Sequence, residues 1–216
     1  MKGRQQVKKN NLILRILVAI AGLMISGVGV GIFLYSQLGV DPASVLELGL
    51  GNVFHVSYGT ASALTNIVIL VIVFIVDKSY INLSSLLAIF GIGYTADFMK
   101  SILDSVIKGE LNLFVRIIMI LIGCLIMAVG IATYIRADLG VGAIDLVSEI
   151  ISNKLKFSYR ITRVVCDITF VVVGYFLGGI VGVGTVVAAF MTGPAVQFVR
   201  PHVYKVTDKI LKIEKE

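Results

Sequence analysis

The residues of this chain that could do chemistry are ionisable and amide side chains set within apolar runs. Asp167 stands about nine residues into the apolar stretch that begins near Tyr159, roughly 13 Å deep at ~1.5 Å per helical residue. A charge at that depth is costly unless it is compensated. Asn66 stands near the middle of another apolar stretch, 101 positions earlier. A polar pair at matching depths suits a central solute site. A structural role fits equally: Arg163, one helical turn before Asp167, neutralises it, and Asn66 hydrogen-bonds a neighbouring helix. Asp145 and Glu149 are four apart and share one face of a short helix, with Glu47 in the corresponding earlier segment. Paired carboxylates bind a cation or relay protons; beside Lys154 and Lys156 they also read as the solvated face of an interfacial helix. Asp41, just before Pro42, is placed first as a helix cap and second as a ligand. Asp97, with Lys100 close by, reads as a group reaching for the interface. Pro194 removes an amide donor from an otherwise uncharged run, and Gly93 falls at the matching place in the looser alignment of the third helices, where Gly93 and Phe98 match Gly193 and Phe198 at a spacing of 100. Both are candidates for a helix break or gating hinge.

The elements that position these residues come in two copies. Residues 11–77 align with 112–178 without a gap, and 16 of the 67 positions are identical. Asn11–Ile16 falls on Asn112–Ile117, Leu38–Val40 on Leu139–Val141, Asn52 on Asn153, and Ser57-Tyr58 on Ser158-Tyr159. Six windows are apolar enough to cross a bilayer as helix, roughly 12–35, 57–76, 81–99, 113–135, 159–178 and 180–199. Each copy therefore reads as one span, a short helix (about 42–50 and 143–154), and two further spans. Three crossings are an odd number, so the second copy enters from the opposite side. The expected fold is an all-α membrane protein of about six transmembrane helices. It forms two inverted three-helix repeats, each with a short interfacial or re-entrant helix after its first span. The divisions are a basic N-tail (1–10), the first repeat (11–99), an outside loop (100–111), the second repeat (112–199) and a basic C-tail (200–216). Gly27 and Gly31, with mates Ala128 and Ala132, are expected where the first helices of the copies approach closely.

Composition supports this class. The chain is 57% hydrophobic and 15% charged, against ~25% charged in a soluble domain, and its mean hydropathy is +0.98. The first window reads as a retained helix, not a cleaved signal. With both termini inside, 16 of the 19 basic residues fall inside and Lys100, Lys108 and Arg116 outside. The positive-inside rule then expects N-in and C-in orientation in a bacterial plasma membrane. The net charge of +6 is thereby assigned to lipid contact and not to nucleic acid. Cys124 and Cys166 lie in apolar windows as buried small hydrophobes. No hydrolase, zinc or phosphate-loop motif occurs, so neither an enzyme nor a cofactor is expected.

At LGVDPASVLELGL, SYGTASALTN and LGVGAIDLVSEIIS the chain resembles the YczE/YitT-like group of small bacterial integral membrane proteins. The matching elements include Gly59-Thr60 and the Asp145-x-x-Ser148 of the second short segment. It departs from the group where Ala43, not tryptophan, follows Pro42. The resemblance implies a multi-spanning plasma-membrane protein and carries no catalytic residue. From the repeat, the expected function is a small-solute or ion transporter or channel working by alternating access. The alternative is a non-transporting subunit, scaffold or regulator of a membrane-associated enzyme. Partners are the bilayer, a solute, a second copy or another membrane protein.

Overall fold

The computed structural model describes residues 12–211. The basic N-tail read for 1–10, and the end of the C-tail at 212–216, lie outside the described residues. Within them the chain forms α1 (Leu12–Ser36), α2 (Pro42–Phe54), α3 (Tyr58–Asp77), α4 (Leu83–Val106), α5 (Leu113–Arg136), α6 (Ala143–Leu155), α7 (Tyr159–Phe176) and α8 (Val183–Ile210). A 3-10 turn at Lys78–Tyr80 joins α3 to α4, and the described residues contain no strand. Helix starts follow their capping residues. Asp41 caps α2 with Pro42 in its first turn, and Ser57, Asn112 and Ser158 cap α3, α5 and α7.

Five helices, α1, α3, α4, α5 and α8, are long and apolar enough to cross a membrane. The sixth expected span is α7, which has 18 residues and carries Arg160, Arg163 and Asp167. It fails on apolarity because three charges fall within those 18 residues, two of which, Arg163 and Asp167, pair with each other. Two helices outrun their windows. α4 continues to Val106, so most of the expected loop at 100–111 is helix. α8 continues to Ile210, so residues 200–210 are helix rather than free tail. An Arg136–Asp208 ion pair at 2.5 Å holds that extension, and Leu211 packs with Val18, Ala19 and Ala137.

The expected helix breaks at Gly93 and Pro194 do not occur. α4 runs unbroken through Gly93, and α8 contains both Pro194 and Pro201. A proline removes one donor, and the turns on either side of it hold the helix together. Gly93 instead lets α3 cross α4. A Cβ there would lie 2.8 Å from Ser62 Cβ and 3.0 Å from Gly59 Cα.

The 101-residue spacing persists in the backbone. α2 (42–54) and α6 (143–155) keep register. Left-handed backbone at Gln37, Gly39 and His55 recurs at Asp138, Gly140 and Lys156. α2 packs on α7 as α6 packs on α3. The centre is the contact of α1 with α5. A Cβ on Gly22 would lie 2.9 Å from Gly130 O, and one on Gly29 would lie 2.7 Å from Gly123 O. The partner number falls as the position rises, so α1 and α5 run antiparallel. Gly27 and Gly31 are not at this seam. They face α4, where added Cβ atoms would meet Ile92 O at 2.5 Å and Ala96 O at 2.7 Å. α1 needs two smooth faces, one for α5 and one for α4, and these glycines supply the second.

Candidate functional site

α2 and α6 begin at one place. Their N-termini meet over a cavity of about 130 Å³ that is also lined by Ser26 and Met127, mid-helix residues of α1 and α5. The two short helices therefore dip into the bundle rather than lying across its ends. A helix N-terminus leaves amides without intrahelical acceptors and carries partial positive charge.

On the first side of the cavity stand Asp41, Ser44 and Glu47 from α2 and its cap, with Tyr58, Ser62 and Asn66 from α3. Each set is a helical stripe, at steps of three and four residues. The Ser44 hydroxyl donates to Asp41 Oδ2 at 2.5 Å and lies 2.9 Å from the Tyr58 hydroxyl. The Tyr58 hydroxyl is shared between Ser44 and Glu47. The Ser44 amide also donates to Asp41 Oδ1 at 3.3 Å, which is the helix cap. Glu47 is 3% exposed. Its Oε1 accepts from the Ser62 hydroxyl at 2.9 Å. Asn66 Nδ2 donates to the Ser62 carbonyl at 2.8 Å.

The second side is a charge cluster. Arg163 of α7 pairs with Asp145 of α6 and, through Nε, with Asp167 at 3.2 Å. The Tyr134 hydroxyl donates to Asp145 Oδ2 at 3.2 Å. The guanidinium fork serves two carboxylates at once, which a lysine point charge does less well. These two carboxylates are compensated by design of the side chains around them.

Of the residues singled out in the sequence, Asp41, Asn66 and Asp145 line this cavity. Asp167 reaches it through Arg163. Glu149 does not line it and, among the described residues, makes no side-chain hydrogen bond. Asp145 turns to Arg163, while Glu149 lies one turn further from the helix start. Gly93 and Pro194 are also absent from the lining. Asp97 does not reach for the interface: it accepts the Gly59 amide at 2.8 Å and closes the start of α3. Lys100 pairs with Asp104 instead. Glu47 was named beside the paired carboxylates and Arg163 as the neutralising partner of Asp167, and both line the cavity. Ser44, Ser62, Tyr58 and Tyr134 were not singled out; the two polar stripes were the signal for the first three.

A larger hollow of about 600 Å³ lies among α2, α3, α6 and α7, lined by residues such as Leu50, Val68, Ile72, Ile151 and Phe170. It offers no titratable group, so the smaller polar cavity is the candidate site. Among the described residues no group of three His, Cys, Asp or Glu side chains is arranged to hold a metal ion.

The model of a family of unknown function, DUF6198, matches residues 13–201. An uncharacterized protein of Haemophilus influenzae is 31% identical over 181 residues, covering 84% of this chain and 81% of its own length. The uncharacterized membrane protein YczE of Bacillus subtilis is 26% identical over 196 residues, covering 89% and 88%. The uncharacterized protein YyaS of the same species is 24% identical over 172 residues, covering 80% and 85%. The YczE-like resemblance read from the sequence is thus borne out. No solved structure matches the chain.

Proposed function

Since the chain belongs to DUF6198, a family of unknown function, we propose its activity from the cavity itself: a membrane carrier for a small solute. Its two three-helix halves are inserted in opposite senses and alternate access to the shared cavity. The observation that carries this reading is the joint lining by both halves at the meeting of α2 and α6. The antiparallel run of the repeat mates α1 and α5 supports the inversion, because mates inserted the same way would run parallel. Two pseudo-equivalent halves supply two states of similar energy, one open to each side.

The carrier reading places the protein in a bacterial plasma membrane with both termini inside, as the basic-residue distribution favours. A cysteine replacing Lys108, in a background with Cys124 and Cys166 changed to alanine, is expected to react with impermeant reagent only from outside. Reaction only from the cytoplasmic side reverses the orientation.

Transport itself is tested at Ala43, which lines the cavity. In the same background, Ala43→Cys is expected to react with a small impermeant thiosulfonate from either side of sealed vesicles. Reaction from one side alone, or from neither, overturns alternating access. The non-transporting subunit then becomes the better reading.

A further inference from the structure

The two sides of the cavity carry equivalent positions and different charge. Counting 101 residues on, Ser44 becomes Asp145, Ser62 becomes Arg163 and Asn66 becomes Asp167. The second half thus holds two carboxylates and the guanidinium that joins them. The first half also brings two carboxylates, Asp41 and Glu47, but its cavity-lining side chains include no cation. Asp41 is served by Ser44. Glu47 and Asn66 are not fully served. Glu47 is 3% exposed and Asn66 6%. Glu47 accepts from the Ser62 hydroxyl and shares the Tyr58 hydroxyl with Ser44, no described donor reaches Asn66 Oδ1, and both side chains line the cavity. A buried carboxylate without a positive partner is costly. The first half is short of positive charge at the position where the second half supplies its own.

We infer that this half of the cavity binds a small monovalent cation, held by Glu47, Asn66 and Asp41, as the diffusible counterpart of the Arg163 guanidinium. Carboxylate, amide and hydroxyl oxygens suit a hard cation. The cavity of about 130 Å³ compares with ~30 Å³ per water in the liquid. It therefore admits an alkali ion with a few waters, or an ammonium ion of similar size. Arg163 in the same cavity disfavours a second, divalent charge. The inference rests on reading this cavity as the solute site, but not on its opening to both sides.

The test is thermal unfolding of the detergent-purified full chain at constant ionic strength. Lithium, sodium, potassium or methylammonium chloride replaces choline chloride, whose quaternary cation is much bulkier than any of the four. At least one small cation is expected to raise the unfolding midpoint saturably over choline. The alkali and methylammonium arms distinguish an inorganic ion from an amine. Glu47→Gln keeps the shape and is expected to weaken that apparent affinity at least about tenfold. Asp41→Asn is the second variant, in case Glu47→Gln does not fold. Lys100→Gln, remote from the cavity, is expected to respond as the parent does. No saturable shift with any of the four cations overturns the site, as does a shift that survives in both variants. A cation shift with one-sided labelling of Ala43→Cys retains the cation site and removes the carrier. Two-sided labelling without any cation shift does the reverse.

Discussion

Arg163→Gln is expected to destabilise the protein by about 2–4 kcal/mol, somewhat below the ~3–5 kcal/mol of a fully buried broken pair. The discount reflects a guanidinium side chain that is 34% exposed. The size of the effect comes from what remains behind. Asp145 and Asp167 have side-chain exposures of 26% and 23%, and both lose their only ion-pair partner among the described residues. Asp145 keeps the Tyr134 hydroxyl, which is not enough for a carboxylate in an apolar bundle. The double variant Arg163→Gln with Asp145→Asn is expected to recover more than half of the loss, since it removes one stranded charge. Thermal unfolding in detergent reads both numbers. Equal stability of the single variant and the parent would show that the cluster is not compensating buried charge.

Gly130→Ala is expected to be at least as damaging, at about 3 kcal/mol or more, beyond the usual ~1–3 kcal/mol of an overpacked core. A Cβ at Gly130 would lie 2.3 Å from the Ser26 backbone nitrogen and 2.6 Å from Gly22 O. Those are backbone atoms, so no side chain can swing aside; α1 and α5 must separate. Their seam carries the cavity, so solute and cation responses should fall with stability. The contrast is Gly193→Ala. Nothing lies within 4 Å of a Cβ there, and the position is inside α8. Alanine should stabilise that helix by roughly 0.5–1 kcal/mol. A neutral Gly130→Ala would show that α1 and α5 do not approach this closely.

The two glycine outcomes show which part of the fold was legible. Glycine at helical spacing announced close helix packing, and such packing occurs. The sequence alone assigned Gly27 and Gly31 to the seam between the copies, whereas Gly22, Gly29, Gly123 and Gly130 form it and Gly27 and Gly31 serve α4. Helical periodicity tells which residues share a face, not which neighbour the face meets. The same limit explains the site. Asp145 and Glu149 share a helix face by spacing, but only Asp145 lies close enough to the helix start to meet Arg163. Asp97 and Lys100 looked like a local interfacial pair, and Asp97 is instead claimed by the start of α3.

What the sequence determined by itself is the list of elements and their duplication. Apolar run length, capping residues and the 101-residue register are local properties, and they place α2 and α6 at matching positions. Tertiary structure decided the rest. It brought the starts of α2 and α6 to one cavity and paired two of the three charges of α7, Arg163 and Asp167. It carried α8 to Ile210 through the Arg136–Asp208 pair. It also left Glu47 facing the cavity with no cation in its own half. Those outcomes depend on which faces meet across gaps of about a hundred residues. Contacts at that separation are selected by packing and by the cost of buried unpaired charge, neither of which can be read along a single strand of sequence.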